Sequence, residues 1–381
     1  MTALAIAFWL AVGLILLTHL GYPLALRVLV ALGRERRIRR PVDRFLPMVS
    51  LIVAAHDEQD VIAAKLENAL ALDYPRDRLE VIVVSDGSSD RTAEIAGTFA
   101  GRVRVLDLPR AGKVPAQDAA VDVAAGEVLA FSDANASWDA GALELLVRPF
   151  ADPEVGYACG RLSYLEAGGG NQEGAYWRIE TAVRALESRL GSITGGNGAI
   201  YAVRREAYLR LDPRTSHDLS LPFNLVKRGW RATYEPSARA SERPLPSVEG
   251  EFRRKRRMMS HAWPTVIAGG MLDPRGYGLL YGFEIFSHRL VRYATPFLHV
   301  IALTTNVALV AMGGGALYVV TLAAQLAVLV AAALAPVTRG RVRLFALCYY
   351  YVLVTVSLAA GLWDWLRTGT PTTWERAEGR T

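Results

Sequence analysis

Three apolar runs in this 381-residue chain end on acids: one on His56-Asp57-Glu58, one on Asp86 and one on Asp133, with Asn135 two residues further on. Residues at i and i+2 of an extended segment point to the same side. Asp133 and Asn135 can therefore converge on one hard cation such as Mg²⁺ or Mn²⁺, which keeps some waters and takes further oxygens from a diphosphate. Taken singly, each is also an ordinary strand-end turn. Three acids on one edge of a sheet make a site.

The elements that would place them alternate. Val49–Ala55, Leu79–Ser85, Val103–Leu106 and Val128–Phe131 read as strands. The helices that follow read as Val61–Leu72, Arg91–Ala100, Val114–Ala124 and Ala140–Val147. In the second strand, Val81-Ile82-Val83-Val84 is the continuous β-branched run of a strand buried on both faces. Strand and helix in alternation predict an α/β domain with a mostly parallel sheet, and such sheets bind ligands at the carboxyl ends of their strands. Nothing here matches a dinucleotide fingerprint, since HDEQD follows the first strand where G-x-G-x-x-G would be needed. Ala111-Gly112-Lys113 lacks the flanking residues of a P-loop.

Hydrophobic residues make up 52% of the chain and concentrate at its two ends. Ala3 to Leu26 is long enough to span a bilayer and is followed by the basic run Arg34 to Arg40, which predicts an anchor with its carboxyl side in the cytoplasm. Thr295–Met312, Leu317–Pro336 and Leu344–Leu366 read as three further spans, with the basic segment Thr338–Arg343 expected in the cytoplasm. That count strands the tail outside, although Thr373-Trp374-Glu375-Arg376 reads as interfacial. Either one apolar stretch is re-entrant or the count differs by one. Gly276 to Val291 reads as an interfacial amphipathic helix. The expected organisation is thus an anchor (1–33), a basic linker (34–45), the α/β domain (46–246), interfacial helices with an arginine-rich stretch (247–293), membrane helices (294–367) and a tail (368–381). Cys159 and Cys348 have no metal-like spacing, and the net charge of +6 clusters beside the apolar segments, favouring lipid headgroups or an anionic substrate over nucleic acid.

The ordered set AAHDEQDVIAAKLENALALDYP, VIVVSDGSSDRT, RAGKVPAQ, AFSDANASWDA, GGNGAIYAVRREAY, HDLSLPFNLVKRGWRATYEP and EFRRKRRMMSHAW resembles family 2 membrane glycosyltransferases of the GT-A fold, a group that includes cellulose-, chitin- and hyaluronan-synthase-like enzymes and bacterial exopolysaccharide glycosyltransferases. The resemblance covers about Leu46 to Arg292. It implies a cytoplasmic catalytic domain at the cell membrane and a nucleotide-sugar donor, expected to be a UDP-sugar, with Glu58 and Asp86 facing uracil and ribose and Lys113 helping to hold the nucleotide. Asp133 and Asn135 match the metal-binding D-x-D, Asp218 the catalytic base, and Arg254 and Arg257 the positions that lie against the diphosphate.

The chain departs from that pattern in three places. Asn135 replaces the usual second aspartate, which predicts weaker metal binding. His217 stands where an acid usually precedes the base; it is a surface residue at a helix start, a neutral histidine that hydrogen-bonds a neighbour, or a protonated one that would lower the pKa of Asp218 and blunt it as a base. In Arg253-Arg254-Lys255-Arg256-Arg257 the register is ambiguous, because Arg253 and Arg256 share the spacing of Arg254 and Arg257. Met258 takes the place of a tryptophan that stacks on acceptor sugar in processive enzymes, with Trp263 and Trp177 as potential substitutes. The reading is an inverting hexosyltransferase acting on a glycan or lipid-linked hydroxyl, with membrane lipids and membrane subunits as possible partners and no nucleic acid. A polyprenyl-phosphate glycosyltransferase and a non-catalytic membrane scaffold are the alternatives.

Overall fold

The computed structural model describes residues 1–39, 44–164, 172–243, 248–338 and 342–370. An N-terminal helix pair, α1 (Thr2–Leu16) and α2 (Tyr22–Ala31), is joined by a π-helical turn at Leu17–Gly21. The central domain then alternates as expected: β1 (Val49–Ala55), α3 (Ile62–Leu70), β2 (Leu79–Asp86), α4 (Thr92–Gly97), β3 (Arg104–Leu108), α5 (Lys113–Val123), β4 (Val128–Asp133), β5 (Ser137–Trp138) and α6 (Ala142–Val147). It continues with β6 (Val155–Tyr164), α7 (Gln172–Leu190), β7 (Tyr201–Arg204), α8 (His217–Lys227) and β8 (Arg231–Glu242).

These strands form one mixed eight-stranded sheet in the order β3-β2-β1-β4-β7-β6-β8-β5. β3, β2, β1 and β4 are parallel, β7 reverses against β4, and β8 runs parallel to β6. Ala54 pairs with both Val84 and Asp133, so β1, β2 and β4 end level and their following loops share one edge. Strand side chains alternate between faces. Val49, Leu51 and Val53 pack with Ile62, Leu66 and Leu143 on one face, and Ile52, Ile82 and Val84 pack with Ala116, Ala120 and Leu221 on the other. Both faces are covered, as the β-branched runs required.

Beyond the sheet come α9 (Val248–Ile267), α10 (Leu279–Glu284), a π-helical segment (Ile285–Leu290), α11 (Val291–Ala311), α12 (Ala316–Leu334) and α13 (Arg343–Thr368). Among the described residues, four helical stretches are long and apolar enough to cross a membrane: Thr2–Ala31, Leu279–Ala311, Ala316–Leu334 and Arg343–Thr368. The stretch expected as an interfacial helix leading into the membrane runs through the π segment into α11 without a break.

α11 and α13 are antiparallel. The Tyr293 ring lies 5.8 Å from the Trp263 ring, whose Nε1 donates to the Leu358 carbonyl, while further along α11 His299 Nε2 lies 2.6 Å from the Tyr351 hydroxyl. Arg256 bonds Asp364 with two 2.6 Å contacts, and Thr370 Oγ1 donates to the Ser260 carbonyl. The carboxyl end of α13 is therefore tethered to α9, on the side of the α/β domain. Arg343 stands at the other end of a 26-residue helix, about 39 Å away. Residues 339–341 and the Thr373–Arg376 segment lie outside the described residues.

Candidate active site

The loops after β1 and β2 lock together. Asp57 takes a left-handed backbone conformation with φ 53°. Its carboxylate accepts from the Ser89 amide at 2.7 Å, and the Glu58 amide donates to Thr92 Oγ1 at 2.8 Å. Glu58 is half-buried on this edge. Asp86 is fully buried and turns inward: its carboxylate accepts the backbone N–H groups of Ala111 and Gly112 at 2.7–3.1 Å. Gly87 has φ 59°, and a Cβ there would lie 2.6 Å from the Arg110 nitrogen, so the tight approach that lets Asp86 reach the next loop excludes a side chain. Asp86 thereby fixes the turn that launches α5, whose first residue is Lys113.

Lys113 closes an ion pair with Asp133 at the end of β4. Burial opposes its charge, but Asp133, then Asp218 and Glu242, hold its ammonium above the usual lysine range. The Gly195–Gly198 loop passes directly beside the pair, since a Cβ on Gly198 would sit 3.5 Å from Lys113 Nζ and 3.7 Å from Asp133 Oδ2. Asn135 is half-buried in the turn after Asp133. That turn is pinned from α3: the buried Lys65 donates to the Ala136 carbonyl at 2.7 Å, and Asn68 bonds the Trp138 backbone in both directions. Burial lowers the Lys65 pKa to about 7 against the fields of Asp133 and Glu242.

Asp218 lies in the first turn of α8, half-buried, with its carbonyl accepting from the Gly196 amide at 2.7 Å. The same loop therefore touches both the Lys113–Asp133 pair and the Asp218 backbone. His217 is neither a surface residue nor a proton donor to Asp218. It is buried, its Nδ1 lies 2.9 Å from the Tyr201 hydroxyl, and its ring meets Phe131, Tyr201 and Tyr208 edge-on. Burial, with Lys113 nearby, lowers its pKa to about 3. Unfolding restores a value near 6.5, so between these limits the unfolded state binds the extra proton and stability falls as pH drops. Thermal unfolding of the wild type should lose about 1.4 kcal/mol per pH unit below 6.5 from this residue alone. His217→Phe should flatten that part of the curve.

On α9 the basic run divides between two neighbours. Arg256 is taken by Asp364, and Lys255 lies over the Tyr350 ring, so this face packs on α13. On the opposite side His261 Nδ1 approaches the Arg214 carbonyl and Thr265 approaches Ser220, both on the catalytic domain. Arg257 lies one turn before His261 on that face. Burial lowers the pKa of His261, which also feels Arg257 and Asp218. Arg254 contacts Met258, which is 43% exposed. Trp263 is buried against α13, which removes it as a sugar platform; the Trp177 side chain lies outside the described residues. Arg257→Ala should cost turnover about tenfold or more. Arg256→Ala breaks only a half-exposed ion pair, worth about 1 kcal/mol at most, and should stay within about threefold of wild type in the same transfer assay.

The profile of glycosyl transferase family 2 matches residues 50–212. This segment is a family 2 glycosyltransferase domain. The match takes in Glu58, Asp86, Lys113, Asp133, Asn135 and the Gly195–Gly198 loop, and ends just before Asp218. A β-monoglucosyldiacylglycerol synthase of Synechocystis sp. is 30% identical over 269 residues, covering 66% of this chain and 55% of that protein. A poly-β-1,6-N-acetyl-D-glucosamine synthase of Staphylococcus aureus is 25% identical over 201 residues, covering 50% and 48%. The chain spans about half the length of the curated relatives it matches. A mannosyltransferase of Pyrobaculum calidifontis, solved with GDP-Man and Mn²⁺, superposes with a TM-score of 0.70 at 22% identity, over 95% of this chain and 99% of that one. The fold is GT-A-like.

Among the described residues, no three His, Cys, Asp or Glu side chains group closely enough to hold a metal. The donor set of Asp133 and Asn135 nevertheless fits a cation that draws its remaining oxygens from a diphosphate and water. Lys65, Glu242 and His261 were not singled out from sequence. The one available signal was Lys65, a lysine on the apolar stripe Ile62, Leu66, Ala69 of α3.

Proposed function

We propose that the chain is a membrane-embedded inverting hexosyltransferase, moving a sugar from a nucleotide sugar to the hydroxyl of a lipid or glycan acceptor at the cytoplasmic membrane face. The observation that carries this is one glycine-rich loop that touches both the Lys113–Asp133 pair and the Asp218 backbone, with His261 of α9 in the fields of both Asp218 and Arg257. Asp218 takes the proton of the acceptor hydroxyl as its oxygen attacks the anomeric carbon. The bond from that carbon to the diphosphate oxygen breaks, and the nucleoside diphosphate leaves. Lys113 and Arg257, with Arg254 one turn away, meet the charge that accumulates on the departing oxygens, where fixed cations act most strongly. A divalent cation held by Asp133 and Asn135, Mg²⁺ or Mn²⁺, would supply further positive charge there. A single displacement needs one base and no carboxylate nucleophile.

Asp86 serves this chemistry by holding the turn before Lys113, and Glu58 remains the candidate for the nucleoside. Relatives that are β-monoglucosyldiacylglycerol synthases and the four apolar helices support an acceptor presented by the membrane. The donor base is left to experiment, because the structural neighbour binds GDP-Man whereas the sequence resemblance favours UDP. The test is release of nucleoside diphosphate by the full-length protein in lipid, across a panel of UDP-sugars and GDP-mannose, with and without Mg²⁺ or Mn²⁺. Metal-dependent release names the donor. Nucleotide binding without release from any donor, with diacylglycerol and glycan acceptors supplied, would instead favour a non-catalytic scaffold.

A further inference from the structure

The catalytic loop is also gripped from the membrane side. Thr194, which opens it, donates its N–H to Glu187 Oε2 at 3.0 Å, and its hydroxyl accepts from Arg289 Nε at 3.0 Å. Arg289 belongs to the π-helical segment that leads into α11. Its guanidinium lies flat enough against Gly195 that a methyl group there would overlap it. Glu187 is fully buried and also binds the Tyr22 hydroxyl and His288 Nδ1, each at 2.6 Å. Glu180 completes the cluster, meeting Arg292 at 2.8 Å and His288 Nε2 at 3.3 Å. Burial works against both carboxylates, but Arg292, His288 and Arg289 outweigh it and hold them below the usual range.

Among the described residues, Arg289, Arg292 and His288 face Glu180 and Glu187, so the cationic groups of this cluster are already turned toward carboxylates. Buried ion pairs of this kind contribute little net stability and hold one geometry when every partner is satisfied. The geometry they hold here is that of the loop. One residue past Gly195, the Gly196 amide donates to the Asp218 carbonyl at 2.7 Å and the Gly196 carbonyl accepts from Arg184 at 3.0 Å. Two residues further, Gly198 flanks Lys113 and Asp133.

We propose that Arg289 is a positioning residue for transfer: from a membrane helix, through Thr194 and Gly195, it fixes the loop that sets Asp218 beside the Lys113–Asp133 pair. The inference rests on Asp218 being the base. Arg289 touches neither Asp218 nor the donor-side carboxylate, so its effect falls on the rate of the bound complex. A misplacement of about 1 Å at such a centre costs up to about a hundredfold in rate.

Two variants test this without stranding a buried charge. Arg289→Lys keeps the cation but loses the planar donor. Gly195→Ala keeps every charged group and pushes the guanidinium off the loop. Both are compared with wild type in the full-length protein in lipid vesicles, measuring kcat, donor KM and the unfolding temperature. Each should lower kcat by about tenfold or more, with donor KM within about twofold and unfolding nearly unchanged. A kcat within about twofold of wild type in both variants overturns the inference, as does activity that falls only with the folded fraction or a donor KM that rises in step with the loss. Wild-type protein without transfer overturns the transferase reading itself and this inference with it, which separates the two failures.

Discussion

Asp218→Asn is expected to lower turnover by about a thousandfold while leaving nucleotide affinity within about threefold of wild type. The amide is isosteric with the carboxylate. Its oxygen can still accept from the Leu219 amide, now at 3.0 Å, and the backbone bond from Gly196 to the Asp218 carbonyl is untouched. The start of α8 should therefore keep its place. What the substitution removes is the capacity to accept the proton of the attacking hydroxyl, and positioned general bases contribute about 10²–10⁴ in rate. The measurement is nucleoside diphosphate release paired with equilibrium binding of the same nucleotide. Full turnover by the variant would sink the hydroxyl mechanism and leave a phosphate acceptor, which needs no base. Loss of binding together with turnover would show that Asp218 acts on the donor.

The contrast between Asp218 and its neighbour shows what was legible in the sequence. Strand and helix alternation gave β1 to β4 and their helices within a few residues, because a doubly covered sheet demands continuous β-branched runs and the helices carry ordinary stripes. The strand-end acids were legible for the same reason. Their directions were not. Asp86 reads from sequence as a ligand-facing carboxylate, and only tertiary folding adds the backbone N–H groups of residues 111–112 that it accepts. His217 could be placed at a helix start, yet its burial depends on Phe131, Tyr201 and Tyr208, which come from three other segments.

The arginine run makes the same point at the level of register. Periodicity alone gave Arg253 with Arg256 and Arg254 with Arg257 equal standing. The choice is made by Asp364, more than a hundred residues later, which claims Arg256. The polar cluster around Glu187 was legible least of all. Its members sit on α2, α7, the π segment and the start of α11, and the first and third of these read from sequence as plain apolar span and plain amphipathic helix.

Asp133→Asn is the second large effect, and it follows from the ion pair with Lys113. In the present structure one carboxylate oxygen of Asp133 is engaged by the lysine, so a cation at Asp133 and Asn135 must compete with an ammonium already in place. Binding a diphosphate changes that balance, because its oxygens offer Lys113 another partner and the cation additional ligands. Two ligands that favour each other in this way must do so reciprocally. Mn²⁺ should therefore bind the wild type at least about tenfold more tightly with nucleoside diphosphate present than without it, a coupling of about 1.4 kcal/mol. Asp133→Asn should erase that difference and lower turnover by about a hundredfold or more, the scale on which single charge-stabilising groups act. Lys113 would keep the fields of Asp218 and Glu242, so nucleotide binding in the absence of metal should survive. Calorimetric titration of Mn²⁺ into each protein, with and without nucleoside diphosphate, reads the coupling directly. Equal coupling in wild type and variant would place the cation away from Asp133.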